Sequence, residues 1–112
     1  MPDPTIDPDT FTALGDMAGT EFVTELVDTF LEEAPRMLAE LHAAYTKGDA
    51  ETFRRAAHSL KSNSNTFGAM QLGNHAKALE LEGLEATGPA ALEALDAEYA
   101  RAAHALKALC DG

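Results

Sequence analysis

The sequence has one cysteine and no tryptophan, and aromatic residues make up only 6% of its 112 residues. Cys110 cannot form a disulfide within the chain, and a single thiol does not make a thiolate zinc site. No run of about 18 apolar residues occurs, and the start, Met1-Pro2-Asp3-Pro4, lacks the apolar stretch of a signal peptide. These absences predict a cytoplasmic protein that does not act at a membrane.

Positive charge is also scarce. The chain has eight Lys and Arg residues against 19 Asp and Glu residues, which gives a formal net charge of −11. Such an acidic surface repels nucleic acids and anionic lipids, so it argues against both as partners. Acidic runs such as Asp28 with Glu32 and Glu33 are interpreted as a solvated helix face.

The length allows one domain with a single modest core, so residues 1–112 are expected to fold as one unit. Alanine, leucine and glutamate dominate while valine and isoleucine are scarce, which favours helices over strands. Three prolines among the first eight residues predict that residues 1–8 are poorly structured. Asp7 or Asp9 is then expected to cap a short helix that ends near Met17.

The 3.6-residue period of apolar residues predicts four further helices. The longest has Thr20 as its N-cap and ends near Thr46, with a kink at Pro35. The others are expected from residue 49 or 50 to about 67, from about 69 to 84, and from Pro89 onward. The fold class is therefore all-α: an antiparallel up-down four-helix bundle with a short additional N-terminal helix.

The third predicted helix places a histidine on its exposed face. Five residues spaced at intervals of four and three form its core stripe: Phe53, Ala57, Leu60, Ser64 and Phe67. On the same helical wheel Arg54, His58, Lys61 and Asn65 cluster roughly 80° to 140° from that stripe, and Ser62 is nearly opposite it. His58 is therefore expected to face solvent, within one turn of Lys61 and Arg54.

This arrangement suits phosphoryl chemistry. A neutral imidazole is a good nucleophile near pH 7 because its ordinary pKa is about 6.5. A phosphoryl group on that ring carries close to two negative charges and needs cations beside it. A lone exposed histidine near a lysine is nevertheless common in helical sequences, so periodicity alone predicts only a helical bundle with a possible site.

The run from Arg55 to Ala69 (RAAHSLKSNSNTFGA) resembles the motif of the histidine-containing phosphotransfer (HPt) domains of bacterial phosphorelays. A leucine–glutamate pair follows one helix later, either Leu79-Glu80 or Leu81-Glu82, as it does in the family. The long second helix, the turn after it and the final amphipathic helix also match the family's layout. The resemblance covers nearly the whole chain.

The resemblance implies a role for several residues. His58 would accept the phosphoryl group on Nε2, and Lys61 would steady that group. Gly68 would keep the crossing between the third and fourth helices close, and Ser64 would be a small buried residue of the third helix. The residues expected to face the partner are Arg54, Ser62 and Asn65.

Two positions depart from the family pattern. Ser62 stands where many members have glycine, and serine is small enough for access to His58 to survive. Glu80 stands where some members have a glutamine near the histidine. Glu80 could orient the imidazole, but a carboxylate would repel a phosphoryl group, so the sequence leaves its role open.

The resemblance also implies the partners and the reaction. The chain would carry a phosphoryl group between proteins without being an enzyme, and it would need no ATP site and no cofactor of its own. The donor would be the phospho-aspartate of a receiver domain that holds its own Mg²⁺, and a second receiver would take the group onward. The expected partners are the receiver domains of response regulators and of a hybrid histidine kinase, docked over exposed apolar residues of the N-terminal and second helices. The protein itself is expected to be a monomer.

Three other functions fit the sequence less well. A di-iron bundle needs Glu-x-x-His pairs, and no glutamate stands three residues before any of the histidines: His42, His58, His75 and His104. An interaction module that has lost phosphotransfer would have no need of both His58 and Lys61. A helical dimerisation domain could use the leucine seam from Leu92 to Leu109, which is interpreted instead as core.

Overall fold

The computed structural model describes residues 6–111, and within that range the chain forms helices joined by short turns and no strand. The described residues form α1 (Pro8–Ala18), α2 (Thr20–Lys47), α3 (Ala50–Thr66), α4 (Met70–Ala86) and α5 (Pro89–Asp111). None of these helices is long and apolar enough to cross a membrane. Helix α3 packs most extensively against α4 and next against α2, while α5 closes the bundle against α4 and α2. The predicted all-α bundle with a short N-terminal helix is confirmed.

The N-terminal helix begins inside the segment that the sequence predicts to be poorly structured. Residues 1–5 of that segment lie outside the described residues. Ile6 is buried in the core, and Asp7 caps α1 by accepting a hydrogen bond from the backbone N–H of Thr10. The backbone N–H of Asp7 also donates to the carbonyl oxygen of Gly68 at 2.7 Å. The start of α1 is therefore tied to the turn between α3 and α4.

Helix α2 passes through Pro35 as one helix and not two, as predicted, while the kink expected there stays a prediction. Its N-cap is Gly19 and not Thr20. Gly19 has a φ of 88°, a conformation that glycine adopts at little cost, and the same residue ends α1. At the other end Gly48 has a φ of 75°, and its N–H bonds back to the carbonyl oxygens of Ala44 and Tyr45. These two glycines set where the long helix begins and ends.

Helix α3 begins after Asp49, whose side chain accepts a hydrogen bond from the N–H of Thr52 at 3.2 Å. All five residues of the predicted core stripe are buried: Phe53, Ala57, Leu60, Ser64 and Phe67. The stripe fixes how α3 is rotated about its axis. The opposite face of the helix, which carries His58, is therefore directed to solvent.

Helices α4 and α5 complete the core. In α4 the apolar residues Leu72, Ala76 and Leu79 are buried, and Gly83 (φ 79°, ψ 173°) interrupts the helix near its end. The predicted seam of α5 is buried at Leu92, Leu95, Ala102 and Leu106. Leu109 departs from the prediction, since it lies in the last turn and is 46% exposed.

Candidate functional site

Helices α3 and α4 run antiparallel, and two contacts define their register. His58 of α3 contacts Glu80 of α4, and Asn65 contacts Gly73. Asn65 lies seven residues further along α3, and Gly73 lies seven residues back along α4. The two helices therefore stay aligned over about two turns, and the groove between them holds the candidate site.

His58 lies on the open side of this groove, with 57% of its side chain exposed. Its Nδ1 atom is 2.7 Å from Oε2 of Glu80. An ionised carboxylate can only accept a hydrogen bond, so Nδ1 carries the proton. The lone pair is then on Nε2, which is the nitrogen available to a reaction partner.

Glu80 also binds Lys61, whose Nζ atom donates to Oε1 at 2.8 Å. One carboxylate therefore connects the two predicted site residues, His58 and Lys61. The Glu80 side chain is only 18% exposed. The hydrogen bond from Lys61, followed by that from His58, holds the pKa of the Glu80 carboxyl below its usual value. Glu80 is therefore ionised at neutral pH and central to the site.

The sequence left two questions open: which of the two leucine–glutamate pairs faces the histidine, and whether Glu80 orients the imidazole or repels a phosphoryl group. The structure distinguishes them: Leu79 is buried while Leu81 is exposed, and it is Glu80 that reaches His58. Glu82 is exposed to solvent. The available signal was the spacing of Leu79 from Leu72 and Ala76, which places Glu80 beside the core stripe of α4 but does not show which helix it meets.

The remaining predicted partner-facing residues lie on the exposed face of α3. Arg54 and Ser62 are exposed, as the helical wheel indicates. Asn65 is exposed too, but its amide lies against α4, since a Cβ atom added at Gly73 would be 2.1 Å from Oδ1 of Asn65. Asn65 therefore also contributes to the packing of the two helices.

The two residues expected to be structural are both buried. Ser64 is fully buried in α3, and its hydroxyl has no hydrogen-bond partner within residues 6–111. Gly68 has a φ of 81°, and a Cβ atom added there would be 2.9 Å from the carbonyl oxygen of Asp7. Gly68 thus allows both the turn between α3 and α4 and the close approach of the segment that precedes α1.

A cavity of about 380 Å³ lies beside His58. Its lining residues come from α3 and α4: Arg54, Arg55, His58, Ser59 and Glu80. Two arginines therefore flank the histidine in a chain whose formal net charge is −11. The cavity is open to solvent on the same face as the imidazole.

Among the side chains that the structure describes, no group of three His, Cys, Asp or Glu residues could hold a metal ion. His42 of α2 instead pairs with Asp96 of α5, with Nε2 and Oδ2 3.0 Å apart. This pair lies on another face of the bundle, between helices that do not carry His58. It links α2 to α5.

A family model described as the Hpt domain matches residues 25–105, which include the helices that form the groove. The chain belongs to the Hpt domain family. A crystal structure of histidine-containing phosphotransfer protein B from Pseudomonas aeruginosa is similar in fold, with a TM-score of 0.88 and 29% sequence identity. The alignment covers 98% of this chain and 97% of that one. A search of curated proteins finds no match.

Family membership confirms the resemblance seen in the sequence and assigns this Hpt domain a role in histidine phosphotransfer within phosphorelays. Hpt domains carry phosphoryl groups and interact with the receiver domains of two-component proteins.

Proposed function

We propose that His58 accepts a phosphoryl group on Nε2 from the phospho-aspartate of one receiver domain and passes it to a second receiver. The observation that carries this proposal is the contact between Nδ1 of His58 and Oε2 of Glu80, at 2.7 Å on an exposed face. It leaves one ring nitrogen, Nε2, open to an incoming partner.

In the proposed transfer a P–N bond forms at Nε2 while the P–O bond of the donor's acyl phosphate breaks, and the donor aspartate leaves as a carboxylate. The imidazole keeps its proton on Nδ1, so the phosphorylated ring is positively charged. Glu80, ionised at neutral pH, offsets that charge through the hydrogen bond that it already makes. The second transfer reverses these steps onto another aspartate.

Lys61 supports this arrangement through Glu80. Its hydrogen bond is the largest cause of the lowered pKa of the Glu80 carboxyl. Lys61 thereby keeps the carboxylate ionised and fixes one of its oxygens, while the other oxygen orients the imidazole. Loss of Lys61 is expected to disturb His58 without a direct contact between the two side chains.

The partner supplies the rest of the chemistry in this proposal. A receiver domain brings its own Mg²⁺, and this chain acts without an ATP site or a cofactor. The proposed partners are the receivers of a hybrid histidine kinase and of response regulators, which would meet this chain as a monomer in the cytoplasm. Two exposed apolar side chains near the α1–α2 junction suit receiver docking: Met17, 87% exposed, and Phe22, 52% exposed.

The proposal is tested by incubating the protein with a phosphorylated receiver and Mg²⁺. Wild-type protein should gain a phosphate that is stable in alkali and labile in acid, as expected for phosphohistidine, and His58→Gln should gain none. His104→Gln, which changes an exposed histidine of α5, is the matched control and should label normally. Label retained in His58→Gln, or wild-type protein that stays unlabelled across a panel of receivers, would contradict the proposal.

A further inference from the structure

We infer that Arg54 and Arg55 bind the phosphoryl group carried on Nε2 of His58, and that Lys61 acts only through Glu80. The inference rests on the proposed function, because it concerns the phosphorylated state of His58. It assigns the cavity beside the histidine as a binding site for a phosphoryl dianion. This differs from the expectation that Lys61 itself steadies the group.

The first argument is the position of the cavity along α3. Arg54 and Arg55 lie four and three residues before His58, and both line the cavity together with it. Side chains on an α-helix lean toward its N-terminus, so the imidazole is directed over the turn that carries these arginines. The arginines lean the same way, and it is their shared lining of the cavity with His58 that places their long side chains beside the ring. On the helical wheel they lie about 40° and about 60° to either side of His58. A group on Nε2 would therefore have one guanidinium on each side.

The second argument is that Lys61 is already engaged. Its Nζ atom donates to Glu80 at 2.8 Å, and the charges of the two groups offset each other. If Lys61 turned to a phosphoryl group, the largely buried Glu80 carboxylate would lose a cation next to a group with close to two negative charges. Keeping the Lys61–Glu80 pair intact avoids that repulsion, so the phosphoryl group must find its cations elsewhere.

The third argument is the state of the arginines themselves. Both side chains are exposed, and within the described part of the chain neither makes a hydrogen bond or a close ion pair, although the charge of Arg55 also helps to lower the pKa of Asp49. A guanidinium presents a planar fork of N–H donors that matches two oxygens of a phosphate. Two such groups supply two positive charges, which equals the charge that the phosphoryl group brings.

The experiment uses phosphoramidate, a small donor with no protein surface. In this reaction Nε2 forms a P–N bond, the donor's own P–N bond breaks, and ammonia leaves. The double variant Arg54→Gln/Arg55→Gln should be labelled about tenfold more slowly than wild type, and its phosphohistidine should hydrolyse faster and show a shifted ³¹P resonance. The matched control Arg36→Gln/Lys107→Gln removes two exposed positive charges from α2 and α5 and should behave as wild type.

The outcomes separate the possible roles. If the arginine double variant slows transfer from a receiver but leaves phosphoramidate labelling, hydrolysis and the ³¹P resonance unchanged, the arginines contact the receiver and the inference is overturned. Hydrolysis and the resonance are measured on isolated phosphoprotein, whichever donor loaded it. If neither phosphoramidate nor a phosphorylated receiver labels wild-type protein, the proposed function itself is contradicted. That result is distinct from an arginine variant that behaves like wild type.

The role of Lys61 has its own test. Because Lys61 is inferred to act through Glu80, Lys61→Met combined with Glu80→Gln should label no more slowly than the slower of the two single variants. Lys61→Met combined with Arg54→Gln should show the product of the two single effects. Multiplied effects for Lys61 and Glu80 would show that Lys61 contacts the phosphoryl group independently and would overturn this part of the inference.

Discussion

Oε2 of Glu80 lies 2.7 Å from Nδ1 of His58, across the groove between α3 and α4. This one contact selects the ring nitrogen that faces solvent and places an acidic side chain beneath the imidazole. Glutamate differs here from an amide in two respects, since it can only accept a hydrogen bond and it carries a charge. The tautomer of His58 and the engagement of Lys61 both follow from that difference.

The stability that Glu80 contributes should depend on pH. Its folded-state pKa is lowered from the ordinary value of 4.5, mainly by the hydrogen bond from Lys61 and then by that from His58. A lowered pKa means that the contribution is present above the unfolded-state value and is lost as the pH falls through the folded-state value. Glu80→Gln should therefore be less stable than wild type at pH 7, and the difference should shrink as the pH falls below 4.5.

This prediction is checked by urea unfolding at a series of pH values. Glu82→Gln is the control, because Glu82 is exposed two residues further along the same helix. Glu82→Gln should change the free energy of unfolding only slightly at every pH in the series. A Glu80→Gln deficit that is as large in acid as at pH 7 would show that the lost stability comes from packing and not from the ionised carboxylate.

Gly68→Ala should destabilise the protein by about 2 kcal/mol, since an L-residue at positive φ is strained by roughly 1–2 kcal/mol. The added Cβ atom would also be 2.9 Å from the carbonyl oxygen of Asp7, which is backbone and cannot turn away. Gly15→Ala in α1 is the control, because a Cβ atom there meets nothing within 4 Å. Equilibrium unfolding should show that control equal to or more stable than wild type; equal stability of Gly68→Ala would contradict the prediction.

Gly73→Ala should act through Asn65. The new methyl group would overlap with Oδ1 of Asn65, 2.1 Å away, and force the amide out of its place against α4. We expect a change of only about 0.5 kcal/mol, because the amide is the end of an exposed side chain that can turn toward solvent. In an Asn65→Ala background the same change should be neutral or stabilising, because alanine favours the helix over glycine. A double-mutant cycle measures this coupling, and strictly additive effects would rule out the contact.

Ser64→Ala should stabilise the protein by about 1 kcal/mol. The Ser64 hydroxyl is buried and has no hydrogen-bond partner among the described residues, so it has lost its hydrogen bonds to water without gaining others. Replacing it with a methyl group removes that cost. Ser62→Ala, on the exposed face of the same helix, should change the free energy of unfolding by less than about 0.5 kcal/mol. A destabilised Ser64→Ala would indicate that a bound water satisfies the hydroxyl.

The sequence predicted the part of the site that depends on one helix. The 3.6-residue period placed Phe53 and Leu60 in the core and directed His58 to solvent, because rotation about a helix axis follows from which residues are apolar. The helix ends were also predictable within a few residues. The N-cap of α2 is Gly19 and not Thr20 because the turn before this helix has a positive φ, which glycine adopts readily. A sequence shows such a requirement only indirectly.

The part that depends on two helices could not be predicted. The contact of Glu80 with His58 requires the rotation of α4, its direction and its axial position relative to α3. The rotation follows from the buried residues of α4, but the direction and the axial position depend on the turn at Gly68 and on packing between the two helices, such as that of Asn65 on Gly73. The sequence shows that residue 80 is a glutamate, but it does not show where that side chain lies relative to His58.

The antiparallel register of α3 and α4 has a consequence for remote substitutions. A slide of α4 by one residue would displace it by about 1.5 Å and would move the Glu80–His58 and Asn65–Gly73 contacts at the same time. A change at Gly73 or Asn65, about 10 Å along the helix pair from the imidazole, can therefore alter proton placement on a ring that it never touches. Sequence variation at Gly73 or Asn65 is thus expected to tune phosphotransfer rates while every side chain around His58 stays the same.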